Sequence, residues 1–324
     1  MAREALYLSR ADIENLKIPT AEVIRVLEEA FKEKGEGTVE QPPKLSVHIG
    51  SKEGMSAMPA YIRKMGALGV KWLSSYPENY RQNLPYIHAL AILNDPNSGL
   101  PLSIMDSTWI TAMRTGAATA IAAKKLARTN PRTLGILGCG VEGRSNLDAI
   151  ATVFTSMKEV RAYDTNVSVL QKYLSDAAQK YGIETRAARN PREAVVGSDI
   201  VVTAVPISKP PQPVIEDGWL GAGGFACALD LDSSWTPAAV RAMDKFYTDD
   251  TKQMAQFRSA GYCQDIPDLD GELAEIISGK KKGRENDQER NMAMFIGLGM
   301  EDIATAKLIY DTAEKEKVGI WLKL

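Results

Sequence analysis

The stretch Thr133–Ile150, TLGILGCGVEGRSNLDAI, sets a short apolar run against three glycines and a helical segment. In its GCGVEG core, Gly138 and Gly140 permit a tight turn and the close approach of a pyrophosphate to the backbone. Gly143 lets the following helix pack on the strand. That helix, opening with Val141 and Glu142, offers unpaired amides and the positive end of its dipole to phosphates. A glycine triplet alone is a weak signal, but a strand before it and a helix after it give it context. Gly138, Gly140, Val141, Glu142 and Gly143 are therefore the candidate cofactor cradle.

The next strand supplies the discriminating residue. EVRAYD ends at Asp164, 21 positions after Gly143, where an acid accepts hydrogen bonds from both ribose hydroxyls and repels a 2′-phosphate. Thr165 and Asn166 follow, with no arginine, so NAD is expected over NADP. In VVTAVPIS, Thr203 and Pro206 fall at a strand end and are expected beside the cofactor, against an equal expectation that they are plain loop residues.

Working outward, apolar strands at TRAA, DIVVTAVP, FACALD and KFYTDD alternate with helical stretches. This pattern predicts a parallel sheet covered on both faces, a doubly wound Rossmann-type α/β unit. The preceding segment reads differently. Val23, Val26, Leu27, Ala30 and Phe31 recur at helical spacing after Thr20, the expected N-cap, and GEG at 35–37 stops them. KLSVHI, GALGVKWL and YIHALAILND read as strands, so the first hundred residues are expected to be α+β. From Thr108 to Ala127 the density of alanine predicts a long, closely packed helix, ended by TNPR at 129–132. MEDIATAKLIYDTAEKEKVG is a further amphipathic helix, placed to return to the first domain. The expected division is 1–128 with 303–324 for one domain and 129–302 for the other.

Bulk properties narrow the chemistry. At 324 residues, 44% hydrophobic and 25% charged, the chain has the composition of an ordinary globular protein. A net charge of −2 provides no field for nucleic acid or an anionic membrane. No apolar run approaches a membrane span, and the start, MAREALYLSRADIENL, lacks a secretory signal's pattern. Three scattered cysteines without a CxxC pair fit a reducing, cytoplasmic compartment. With only two histidines, no metal centre is expected, and proton transfer falls to carboxylates, lysines or water.

Three cations stand in apolar surroundings ahead of the glycine motif: Lys44 after QPP, Lys71 inside GALGVKWL, and Arg114 inside TAMRTGAATA. Such charges must be paired or face a cavity, and structural pairing is the competing explanation for each. Together they suit a small anionic substrate, because an arginine fork and a lysine grip a carboxylate. CALDLDSSW places Asp230 and Asp232 at a strand end, two residues apart and so expected on one face; one of them is a candidate to take a proton or bind an amine.

GVKWLSSYPEN, ILNDPNSGLPLSIMDSTWITAMRTGAATAIAAKKLA, LGILGCGVEGRSNLDAI and the terminal GMEDIATAKLIY resemble the ornithine cyclodeaminase and mu-crystallin family over nearly the whole chain. The resemblance implies an N-terminal domain that binds substrate and forms a homodimer, helped by the C-terminal helix, and a second, NAD-binding domain. It implies hydride transfer between the Cα of an amino or imino acid and a nicotinamide. By position, Lys71 matches the active-site lysine, Arg114 a carboxylate clamp, and Asp232 the acid that handles the substrate amine. Lys44 stands where the family usually has arginine. SAMPAY presents Ser56 and Ala57 where cyclodeaminases acting on ornithine carry a glutamate before Met-Pro, which argues against a diamine substrate. Within the family the alternatives are cyclodeamination, an alanine dehydrogenase-like or ketimine reductase activity, and a crystallin-like binding protein without turnover.

Overall fold

The chain changes folding unit inside its most alanine-rich helix. The computed structural model describes residues 4–50, 53–82 and 84–324, so the first three residues of the N-terminal stretch read above lie outside it. Unit 1 comprises Met1–Arg114 and Gly297–Leu324, and unit 2 comprises Thr115–Ile296. Along the chain, unit 1 contributes β1 (Glu4–Leu8), α1 (Arg10–Asn15), α2 (Thr20–Glu36), β2 (Val39–Glu40), β3 (Leu45–His48), β4 (Gly54–Ile62), β5 (Ala67–Ser75), β6 (Ile87–Asn94), β7 (Pro101–Asp106) and the start of α3 (Thr108–Leu126). Unit 2 continues with β8 (Thr133–Leu137), α4 (Val141–Val153), β9 (Glu159–Tyr163), α5 (Val167–Tyr181), β10 (Glu184–Ala187), α6 (Pro191–Val195), β11 (Ile200–Thr203), β12 (Phe225–Ala228), α7 (Pro237–Arg241), β13 (Lys245–Thr248), α8 (Thr251–Ser259), β14 (Gly271–Glu272), α9 (Leu273–Ile277) and β15 (Asn291–Met294). Finally, α10 (Gly299–Glu316) and β16 (Ile320–Lys323) return to unit 1.

The expected boundaries at 128/129 and 302/303 move to 114/115 and 296/297. The reason is that α3 runs unbroken through the first junction, so the breaker TNPR marks the end of a helix rather than of a unit. At the second junction Gly297 adopts φ +84, a left-handed conformation natural to glycine, and starts the return two residues before α10. A smaller correction concerns α2: Pro19 is its N-cap, with Thr20 in the first turn. The helix stops at Gly37 in the left-handed conformation.

Unit 1 is a sheet ordered β16-β1-β7-β6-β5-β4-β2, with β3 also paired to β4. Strand alternation sends Met58, Ala60, Lys71, Ala91 and Met105 to one buried face, where α2 and α10 pack. Pro59, inside β4, lacks a backbone donor. It falls between the residues of β4 that pair with β2 and those that pair with β3, where Gln41–Lys44 leave the sheet.

Unit 2 is a parallel sheet ordered β10-β9-β8-β11-β12-β15-β13-β14. β11, β12 and β15 are buried along their whole length, as strands covered on both faces must be. The chain crosses from β8 outward to β9 on one side and later to β11 on the other. The turn after β8 is thus the topological switch point, where open α/β sheets bind ligands.

Candidate active site

In unit 2 the glycine turn is built by three close approaches. Gly138 has φ +94, and a Cβ there would lie 2.5 Å from the Ala204 carbonyl oxygen. At Gly143 a Cβ would lie 2.1 Å from the Gly138 oxygen, so only glycine lets α4 start so near the strand. Gly140 is the N-cap of α4, has no side-chain cap, and a Cβ there would meet nothing within 4 Å. The backbone is therefore exposed where a phosphate would dock. Val141 is exposed at the first helical position, and the Glu142 carbonyl accepts from Ser145 and Asn146.

Asp164 lies just beyond β9 and braces this turn. Its Oδ2 accepts the Cys139 N–H at 2.8 Å and its Oδ1 the Asn166 N–H at 2.8 Å. The carboxylate is thereby fixed beside the glycines, and the residues present fit a dinucleotide whose ribose hydroxyls donate to an acid. The Cys139 thiol in the same turn is buried, which pushes its pKa up to about 12 and keeps it inert.

The expectation past β12 needs correction, and at the end of β11 the Thr203 side chain turns into the core. It is fully buried, donates to Asp230 Oδ1 at 2.8 Å and accepts from Trp235 Nε1 at 3.3 Å. Pro206 is exposed in the loop that follows. Asp230 and Asp232 do not share a strand face, because β12 ends at Ala228 and Leu231 between them has φ +55. Asp230 turns into the core, where it accepts from Thr203, Ser234 Oγ at 2.6 Å and the Val205 N–H at 3.3 Å. It thus anchors the loop that carries Pro206. Burial raises its pKa to about 6, against the opposing hydrogen bonds. Asp232 is half-buried: Oδ2 accepts the Cys263 N–H at 2.8 Å, whereas Oδ1 has no hydrogen-bond partner among the described residues. Of the two acids, Asp230 has both oxygens engaged and Asp232 keeps one buried oxygen without a hydrogen-bond partner among the described residues.

Unit 1 gathers two of the three cations. Lys71, fully buried on β5, donates to Asp302 Oδ1 at 2.6 Å and to Thr111 Oγ1 at 3.3 Å. Arg114 on α3 donates to Glu301 Oε2 at 2.9 Å, and its Nε lies 3.5 Å from the same Asp302 Oδ1. Burial holds Lys71 below the ordinary lysine range; Asp302 opposes that shift and Arg114 adds to it. Gly297 passes under the guanidinium, where a Cβ would lie 2.5 Å from an Arg114 nitrogen. Gln41 accepts the Met300 N–H at 3.0 Å, and Gly299 lets the start of α10 press on the Met58 and Pro59 carbonyls. Lys44, partly exposed, ends the loop that Gln41 begins.

Sequence reasoning missed Glu301 and Asp302. Both are fully buried, and their signal, an acidic pair in the first turn of a helix, reads equally well as a favourable dipole contact. No group of three or more potential metal ligands occurs among the described residues. No helix there is long and apolar enough to cross a membrane.

A Rossmann-type unit with an acid after its second strand, joined to an α+β unit with paired buried cations, defines a class of two-domain nucleotide-binding proteins. The chain belongs to the ornithine cyclodeaminase/mu-crystallin family, whose description matches residues 3–317. The alanine dehydrogenase of Archaeoglobus fulgidus is 34% identical to it over 99% of this chain and 98% of its own. The Thermococcus litoralis Δ1-pyrroline-2-carboxylate reductase, solved in complex with NADH and L-proline, aligns with a TM-score of 0.89 at 35% identity, covering 97% of this chain and 99% of that one. An archaeal alanine dehydrogenase dimer with bound NAD aligns with a TM-score of 0.88 at 33% identity, covering 99% of each chain.

Proposed function

We propose that this protein is an NAD-dependent oxidoreductase acting between the Cα of a small L-amino acid, or the corresponding cyclic imino acid, and nicotinamide. The observation that carries the reading is the pair of buried cations, Lys71 and Arg114, held on one carboxylate oxygen of Asp302. Cations kept dry in this way are suited to grip a substrate carboxylate. The relatives named alanine dehydrogenase and Δ1-pyrroline-2-carboxylate reductase support the same substrate class.

Gly138, Gly140, Gly143, the start of α4 and Asp164 would hold the dinucleotide. Bound there, NAD supplies a hydride acceptor, and NADH a hydride donor, for the substrate carbon. Unit 1 holds the substrate: Lys71 and Arg114 take the carboxylate, and Lys44 adds a third positive charge. In unit 2, Asp232 holds or accepts a proton of the substrate nitrogen at Oδ1, the oxygen without a partner, while the Cys263 N–H fixes its other oxygen. Ser56 and Ala57 carry no charge for a side-chain amine, and Ser56 Oγ is within 2.8 Å of Ser46 Oγ across the strands. This favours alanine-type or cyclic imino acid chemistry over diamine cyclisation.

Unit 1 also presents an uncovered apolar sheet face. Leu45, Trp72 and Leu90 lie in one cross-strand row through Ala57, and Val47 is two residues along β3; these four side chains are 43–61% exposed. A second copy of the chain is the occupant we assign to it, in line with the archaeal alanine dehydrogenase dimer. The three cysteines, all buried, fit the cytoplasmic placement.

The test is to follow the absorbance of reduced nicotinamide with L-alanine, L-proline, L-ornithine and L-lysine plus NAD, and with pyruvate plus ammonia or Δ1-pyrroline-2-carboxylate plus NADH. Turnover of an alanine-type or cyclic imino substrate, lost in Lys71→Ala with NADH binding retained, is expected. Silence across the series with intact NADH binding would instead leave a binding protein.

A further inference from the structure

The two acids at the start of α10 do more than favour its dipole. We propose that Asp302, with Glu301 beside it, is the positioning residue of the carboxylate clamp: Asp302 aims the Lys71 ammonium and Glu301 the Arg114 guanidinium. The inference rests on the function proposed above and extends it to two residues, Asp302 and Glu301, that lie 231 positions from Lys71 and 187 from Arg114 respectively in the sequence.

The geometry is specific. Asp302 Oδ1 is shared by Lys71 Nζ at 2.6 Å and Arg114 Nε at 3.5 Å, so one oxygen sets the spacing of the two cations. Thr111 gives its own hydrogen to the Ser107 carbonyl at 2.8 Å, which leaves its lone pair to accept from Lys71. Two of the three ammonium N–H groups are thus directed, and the third has no acceptor among the described residues. Asp302 Oδ2 is likewise buried without a hydrogen-bond partner. Glu301 accepts the Leu298 N–H at 3.3 Å as well as the Arg114 donor, tying the guanidinium to the helix start.

A purely structural role explains this poorly. Buried ion pairs are weak stabilisers, and apolar side chains of similar size often do as well or better. Four charges in one buried cluster, with a donor and an acceptor left over, suit a site that receives a further charged or polar group. The groups facing Lys71 are Asp302 and Glu301 from α10 and Arg114 and Thr111 from α3, while Met58 and Ala91, its cross-strand neighbours, are apolar. The cluster balances two positive against two negative charges. Within the cluster a carboxylate is therefore held by aimed donors, the excess positive charge coming from Lys44.

The experiment titrates Lys71 directly. In protein labelled with 13C at lysine Cε, the Lys71 resonance is identified by its disappearance in Lys71→Arg. The wild-type ammonium is expected to persist at neutral pH, and Asp302→Asn is expected to lower its midpoint by at least about one unit, more than Glu301→Gln does. An unchanged midpoint in Asp302→Asn overturns the proposal. If that variant does not fold, a wild-type Lys71 already neutral at pH 7 overturns it, and a charged one supports it. A second arm measures binding of pyrrole-2-carboxylate in the presence of NADH by calorimetry. Asp302→Asn should bind it about tenfold more weakly near pH 8 and recover as the pH falls through the new Lys71 midpoint. Equal weakening at every pH indicates simple structural damage and counts against positioning. If wild-type protein binds NADH but none of this probe, the proposed substrate class fails, while the lysine titration still decides the positioning role.

Discussion

Asp230 and Asp232 stand two positions apart, yet their chemistry is set by which way a single left-handed residue, Leu231, turns the chain. Asp230 has three donors and no exposure, and its carboxyl is raised to about 6 because burial penalises the charge. The sign follows from linkage: a carboxyl whose folded pKa lies above its unfolded value near 3.8 contributes stability fully present below that value and lost as pH rises through about 6. Asp230→Asn removes this titration. Comparing denaturant unfolding of the two proteins, we expect wild type to gain about 1.4 kcal/mol on the variant between about pH 7.5 and about pH 5. A pH-independent difference would show that Asp230 is ionised throughout. Asp164 permits a second residue-level test. Asp164→Ser should weaken NADH at least about tenfold in fluorescence titration and narrow the gap to NADPH, because the acid both orients the ribose and repels a 2′-phosphate. An unchanged preference would remove Asp164 from the cofactor site.

Among the elements, α3 shows how small residues fix a close approach. Within unit 2, a Cβ at Gly116 would lie 2.4 Å from the Ser145 carbonyl oxygen of α4, a contact with backbone that no rotamer relieves. Gly116→Ala should therefore destabilise the protein by about 1–3 kcal/mol and lower its melting temperature; a neutral effect would mean that α3 and α4 separate without cost. The opposite helix end matters at α10, where glycines at 297 and 299 leave room for the Arg114 guanidinium and for the Met58 and Pro59 carbonyls. Their value lies in what they allow nearby rather than in helix propensity. β15, NMAM, was the element least visible in the sequence: methionine and alanine carry no strand preference, and a polar run, ENDQER, leads directly into it. It forms a central strand because β12 and β13 flank it and bury it completely.

For the whole molecule, the uncovered face of the unit 1 sheet makes a prediction about assembly. Replacing Trp72 and Leu90 together with lysine puts two charges in the centre of the row. Light scattering coupled to size exclusion should then report the 35.4 kDa single chain rather than twice that mass. A dimer that survives the double replacement would place the interface elsewhere. Local sequence was enough to read the parallel nucleotide unit, the glycine turn with Asp164, the long α3 and the amphipathic α10. These follow from local periodicity and from backbone conformations that only glycine adopts readily. It also exposed Lys71 and Arg114, since a charge in an apolar run must find a partner. Which partner was a matter for tertiary structure alone. Asp302 lies 231 residues from Lys71, and no periodicity links a strand position to the first turn of a helix so far along the chain. The same holds for Thr203, which turns inward to Asp230, and for Pro59, tolerated where the sheet opens at Gln41–Lys44. Hydrogen-bond satisfaction in a buried environment chose those outcomes, and it operates only once distant segments have been brought together.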